Sequence, residues 1–179
     1  VLPITLLADR SVDVAFMGDS NMAGSDSISK YGSYASWSNE SDTYSYDEDR
    51  DLGKLYQDLT GQSAVTIAVS GKDIEDWVGE TAWRRSTGGD SEETEVFLTM
   101  RPRKIVYSTH ANDCKKPWNE ATYTGYLDDL KTAADSIGST LYMLTGTPLS
   151  LPGRDAGEQS KAADMRGWLV TWAATNGVQ

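Results

Sequence analysis

Chemistry in this chain has to come from three places where an apolar run stops at small or polar residues. The first is Val12-Asp13-Val14-Ala15-Phe16-Met17-Gly18-Asp19-Ser20-Asn21, a strand-like run that breaks at Gly18, where a backbone can turn sharply. Read as a buried strand, it delivers Ser20 beyond its carboxyl end, where open α/β sheets place their ligands. Ser and Asp are also favoured N-caps, so this stretch alone leaves open whether Asp19 and Ser20 react or merely start the next segment. The second run is Ala64-Val65-Thr66-Ile67-Ala68-Val69-Ser70-Gly71, and the third is Lys104-Ile105-Val106-Tyr107-Ser108-Thr109-His110-Ala111-Asn112-Asp113. Acyl transfer needs a nucleophile, a base that takes its proton, and hydrogen-bond donors where the oxyanion forms. Ser20 is the candidate nucleophile.

Taken in order, these endings resemble the sequence blocks of the SGNH hydrolases, also called the GDSL lipase and esterase family. Gly18-Asp19-Ser20-Asn21 resembles the first block, which carries the nucleophilic serine. Ser70-Gly71 resembles the second, whose glycine N–H helps form the oxyanion hole, and His110-Ala111-Asn112-Asp113 resembles the third, normally Gly-x-Asn-Asp, whose Asn side chain donates the remaining hydrogen bond. The resemblance spans most of the chain and implies a flavodoxin-like fold with catalytic roles for Ser20, Gly71 and Asn112.

Two departures from the family pattern concern the base. His110 stands where the family has glycine, and no histidine follows it, so the Asp-x-x-His that supplies the family's acid and base has no counterpart here. The expectation is that this pair lies beyond Gln179 in a longer parent or has been lost. His110 is the rival base, because it ends a strand that this fold sets beside the serine strand and its unperturbed pKa suits proton transfer near neutrality. Against it, the usual turn at that position calls for glycine. Nothing marks Cys114 as an activated thiol, and His110, Asp113 and Cys114 are too few ligands for a metal site. The acids of Asp47-Glu48-Asp49-Arg50-Asp51, with Asp58, echo a calcium loop whose glycine falls one place late, at Gly53; they serve equally as an acidic start for a helix. No metal or other cofactor is expected.

The elements that must position these residues follow from periodicity. Residues 51–60 form a helix with Leu52, Leu55, Tyr56 and Leu59 on one face, closed by Gly61. A helical turn follows Ser70-Gly71, a second long helix covers 118–137 and closes at Gly138, and a third covers 159–175, burying Ala162, Met165, Leu169 and Trp172. Residues 140–148 form a fourth strand, and 177–179 begin a fifth that is cut off. Strands alternating with helices predict a three-layer α/β/α sandwich around a central parallel sheet, in a single domain of residues 1–179 that is incomplete at its C-terminus. Its first residue, Val1, points to a processed or excised piece of something longer.

Composition narrows the partners. A net charge of −11 disfavours nucleic acid and anionic membranes, and no apolar run is long enough to cross a bilayer. The one cysteine, Cys114, forms no internal disulfide. Arg84 and Arg85 stand out in the polar stretch 79–95 and could meet an anionic group, or pair with nearby carboxylates. Six Trp and nine Tyr against two Phe favour rings with a polar handle. Residues 24–51 form a long polar loop with Tyr31, Tyr34, Trp37, Tyr44 and Tyr46, and Trp77 and Trp118 follow the second and third site loops. These two indoles are candidates for stacking on a sugar, or for core packing. The expected function is hydrolysis of a short acyl ester, such as an acetyl group on carbohydrate. The alternative is a catalytically incomplete module for carbohydrate binding, or for assembly of an extracellular or viral structure.

Overall fold

Alternation along β1 (Val14–Gly18) decides how the domain is layered. Val14 and Phe16 join one cluster of buried side chains, and Ala15 and Met17 join another on the opposite face. All five residues of β1 are buried, as a central strand covered on both faces requires. A computed structural model describes residues 12–18, 52–68, 73–78, 101–108, 110–145 and 156–179. After β1 come α1 (Leu52–Thr60), β2 (Ala64–Ala68), α2 (Ile74–Val78), β3 (Lys104–Ser108), α3 (His110–Asp113), α4 (Glu120–Ser136), β4 (Thr140–Met143) and α5 (Ala156–Asn176).

The four strands pair in parallel in the order β2-β1-β3-β4. On one face, Ala15, Met17, Ile105, Tyr107 and Leu141 meet Ile74 and Trp77 of α2, Leu127 and Leu130 of α4, and Ala162, Met165, Leu169 and Trp172 of α5. On the other, Val14 and Phe16 meet Leu52 and Tyr56 of α1, with Val106 beside them. The result is the expected α/β/α sandwich. Among the described residues no helix is long and apolar enough to cross a membrane.

Helix ends carry the expected chemistry. Asn119 caps α4 by accepting the Thr122 N–H at 2.9 Å. At the other end Gly138 takes φ 69°, and the Ser139 N–H reaches back to the Ala134 carbonyl at 2.9 Å, which closes a Schellman motif. Gly177 ends α5 in the same way. Beyond it, the Gln179 carbonyl accepts the Met143 N–H at 2.8 Å on the free edge of β4, where the fifth strand was expected to start.

The apolar stripe expected on α1 is corrected by the structure. Leu55 is 42% exposed and Leu59 85%, while the buried residue of the helix is Gly53. A Cβ at Gly53 would lie 2.8 Å from the Val65 carbonyl carbon and 2.9 Å from the Thr66 nitrogen, so α1 rests on β2 through the one residue without a side chain. The Gly53 N–H also donates to Thr66 Oγ1 at 2.8 Å. This seating turns Leu52 and Tyr56 toward the sheet, the Tyr56 ring standing edge-on to Phe16 at 5.6 Å, and turns Leu55 and Leu59 away.

Candidate active site

Three adjacent strands finish level. Gly18 of β1 is in register with Ala68 of β2 and with Ser108 of β3, so the segments that follow all leave the sheet at the same carboxyl edge. Ser20 and Gly71 come shortly after the first two of these ends, and both lie outside the described residues, as do residues 24–51, Arg84 and Arg85. Asp58, the described member of the calcium-like acids, is engaged with Lys54 at 2.5 Å one turn away on α1.

After β3 the chain enters α3. His110 opens this turn in helical backbone, and among the described residues the non-glycine at positive φ is Arg101 (φ 46°), so His110 does not need glycine's freedom. Asn112 is half-buried, and its Oδ1 accepts Lys115 Nζ at 3.2 Å. Asp113 is wholly buried and accepts the Ile74 N–H at 2.8 Å, from the first residue of α2.

A second tie runs parallel to that bond. Asp73, 2% exposed, accepts Lys116 Nζ at 2.6 Å. Asp73 and Asp76 also exchange hydrogen bonds with each other's backbone N–H at 3.0 and 3.2 Å, a reciprocal capping box at the start of α2. Glu75 lies 3.7 Å from Lys116 and accepts the Tyr126 hydroxyl at 2.9 Å. These contacts set the local electrostatics. The hydrogen bond to Asp73 raises the Lys116 pKa against the opposing effect of desolvation. Desolvation, then the hydrogen bond to Glu75, raises that of Tyr126. Burial holds the Tyr123 hydroxyl well above the ordinary tyrosine value, with the charge of Asp113 adding to it.

Trp77 and Trp118 are core residues, 4% and 8% exposed. The Trp118 ring packs between Tyr123 at 6.4 Å and Tyr126 at 5.1 Å, with Lys116 Nζ 5.5 Å from its centroid. Its carbonyl accepts the ammonium of Lys161. Trp77 Nε1 is buried without a hydrogen-bond partner. Among the described residues no group of three His, Cys, Asp or Glu side chains is placed to hold a metal ion.

No protein-family model and no curated protein matches this chain. Solved structures do. Over 93% of its length the chain superposes on TesA with TM-score 0.60 and 14% identity, and on a candidate SGNH hydrolase from Slackia heliotrinireducens with 0.57 and 12%. A GDSL-like lipase from Bacteroides thetaiotaomicron matches over the same share with TM-score 0.52 and 12% identity. This is the SGNH/GDSL hydrolase fold. The chain spans 75%, 76% and 65% of those three structures' lengths. At such identities the SGNH fold is what is shared, and function has to be argued from the site.

The tie between α2 and α3 went unread in the sequence of this SGNH-fold chain. In the sequence Asp113 reads as the last residue of the third block or as one of too few metal ligands, and Lys116 carries no signal. The Asp73…Asp76 spacing is a legible capping-box signal, but nothing local reports that Asp113 reaches a backbone N–H 39 residues away.

Proposed function

We propose that the chain is a serine ester hydrolase acting on short acyl esters, with Ser20 as nucleophile and with the Gly71 N–H and the Asn112 side chain as oxyanion donors. The observation that supports this reading is the level ending of β2, β1 and β3, the strands after which the three blocks follow in sequence. Asn112 supports it by its place on the turn that follows β3, half-buried and beside the end of that strand. On this reading the Ser20 Oγ attacks the acyl carbon, its proton passes to a base, and the oxyanion is held by the two donors. The alcohol then leaves with that proton, and water releases the acid. His110 is the base assigned within this chain.

The substrate class proposed is an acetyl ester on carbohydrate. Support comes from composition, with Tyr31, Tyr34, Trp37, Tyr44 and Tyr46 in the segment after Ser20. Trp77 of α2 and Trp118, just before α4, enter as core packing, given their burial. Release of an acetylated chromophore by the chain, Ser20→Ala and His110→Ala tests the reading. Turnover is expected to be slow, because a serine without a full acid–base pair is a weak nucleophile, and to vanish in Ser20→Ala. Loss in His110→Ala as well identifies the base. Release no faster than in Ser20→Ala moves the assignment to the non-catalytic module.

A further inference from the structure

We infer that Asp113 is a positioning residue, whose carboxylate holds the first N–H of α2 and so fixes Asn112 on α3 relative to Asp73 and Ile74 at the start of α2, the first of them two residues after Gly71 in sequence. The inference rests on reading Gly71 and Asn112 as the oxyanion donors. The problem it solves is topological. β2 and β3 are not neighbours, because β1 lies between them, so the segments after them start two strand spacings apart, about 9–10 Å. No ladder between β2 and β3 sets how far apart those segments stand, although two donors for one oxyanion must be held to within a fraction of that distance.

Two side chains bridge the gap. Asp113 Oδ1 accepts the Ile74 N–H at 2.8 Å, and Asp73 Oδ2 accepts Lys116 Nζ at 2.6 Å. Both join residues 73–74 to residues 113–116, and two parallel ties restrict rotation as well as separation. They differ in kind. The Lys116 side chain is 39% exposed, which leaves its tie open to water and salt, whereas Asp113 is wholly buried. Asn112 is the residue next to Asp113, so what holds one holds the other.

A purely local role is the competing account, since the first N–H groups of any helix need partners. Yet α2 already has a cap of its own in the Asp73–Asp76 box, and a turn of five residues can leave its remaining N–H groups to water. A buried carboxylate brought from 39 residues away does something the local cap does not. It sets the distance between α2 and α3.

The test compares the full chain with Asp113→Ala, Asp113→Asn and Leu130→Ala, the last a core truncation in α4 away from the tie. Amide NMR follows the Ile74 N–H and the Asn112 side-chain NH2 group, and acetyl-ester kinetics follow kcat and KM. In Asp113→Ala the Ile74 amide should exchange about tenfold faster or more, and the Asn112 signals should move. kcat should fall at least about tenfold with KM little changed, since misplacing a donor acts on the transition state. Asp113→Asn, whose amide oxygen can accept the same N–H, should recover most of this, and Leu130→Ala should leave the Asn112 signals in place. If Asp113→Ala does not fold, Asp113→Ser, too short to reach Ile74, takes its place. Unmoved Asn112 signals in the truncated variants, or no recovery in Asp113→Asn, overturns the inference. Shifted and recovered signals in a chain with no Ser20-dependent turnover uphold the tie and remove the hydrolase reading instead.

Discussion

Asp113 and Ile74, 39 residues apart in sequence, are joined by a 2.8 Å hydrogen bond from a backbone N–H to a carboxylate that solvent does not reach. The bond links the helical turns after β2 and β3, the two strands that flank the serine strand β1. Strand order and register end β2, β1 and β3 at one edge, and side-chain ties outside the sheet join the helical turns that follow β2 and β3. The polar groups of this region make a connected set: Asp113 on Ile74, Asp73 on Lys116, Glu75 on Tyr126. Such a set orders short segments only when its members stay paired.

Removing Lys116 tests the second tie. Asp73 keeps its bond to the Asp76 N–H, but its nearly buried carboxylate loses the ammonium at 2.6 Å. Lys116→Met is expected to destabilise by about 1–2 kcal/mol, between the limits for exposed and for buried pairs. The loss should shrink in high salt, because the lysine end is partly solvated. Urea unfolding of both proteins at low and high ionic strength measures it. A salt-independent loss would assign the effect to the contact of the Lys116 ammonium with the Trp118 ring, 5.5 Å from its centroid.

Stability should fall in alkali. Tyr123, Lys116 and Tyr126 all hold their protons more tightly folded than unfolded: burial raises the first, the Asp73 hydrogen bond the second, and desolvation the third. Their contribution is complete below the unfolded values, about 10 for Tyr and 10.4 for Lys. As pH rises past those values the unfolded chain has released protons that the folded chain retains, so stability is lost toward the raised folded values. Urea midpoints from about pH 8 to 11 should stay level and then drop. Tyr123→Phe should make the drop shallower, since it removes the group whose folded value lies furthest up; an unchanged slope would show that Tyr123 is not the linked group.

Gly53 and Leu59 make a paired test of how α1 is seated. Gly53→Ala puts a methyl group against the backbone of β2, where a Cβ would stand 2.8 Å from Val65. Backbone cannot give way as a flexible side chain can, so a loss of about 1–3 kcal/mol is expected despite alanine's better helix propensity. Leu59→Ala, at 85% exposure, should stay within about 0.5 kcal/mol of the parent. Thermal unfolding of the two variants decides it, and the reverse ranking would restore the leucine stripe as the buried face.

That pair also shows where reading the sequence succeeded and where it stopped. On α5 the spacing of Ala162, Met165, Leu169 and Trp172 was enough, because a long helix with one apolar stripe has one way to face a core, and all four are buried. The αL glycine closing α4 was legible for the same local reason. On α1 the apolar stripe misled, because the closest approach to β2 runs through a glycine, whose value depends on a strand across the layer. The site divides along the same line. Strand endings at Ser20, Gly71 and Asn112 are one-dimensional signals, whereas the Asp113–Ile74 tie exists only once β2 and β3 have been placed on either side of β1.

The indoles bring the substrate question to a measurement. Trp77 and Trp118 were candidates for sugar stacking because both follow site loops, and a large ring with a polar edge suits either a sugar face or a core. In the structure they are 4% and 8% exposed, and Trp118 has Tyr123, Tyr126 and Lys116 against its ring. Truncating either to alanine should therefore cost about 3–5 kcal/mol, as for a large buried aromatic. Both contribute emission from a protected environment, so their loss should remove blue-shifted rather than red-shifted fluorescence. If carbohydrate binds, its contacts on this account come from the aromatics of residues 24–51. Titration with acetylated oligosaccharide should then give the same affinity in Trp118→Phe, a milder change that keeps a ring in the core, as in the parent, while Trp37→Ala weakens it. Affinity lost in Trp118→Phe at unchanged stability would return that indole to the binding surface.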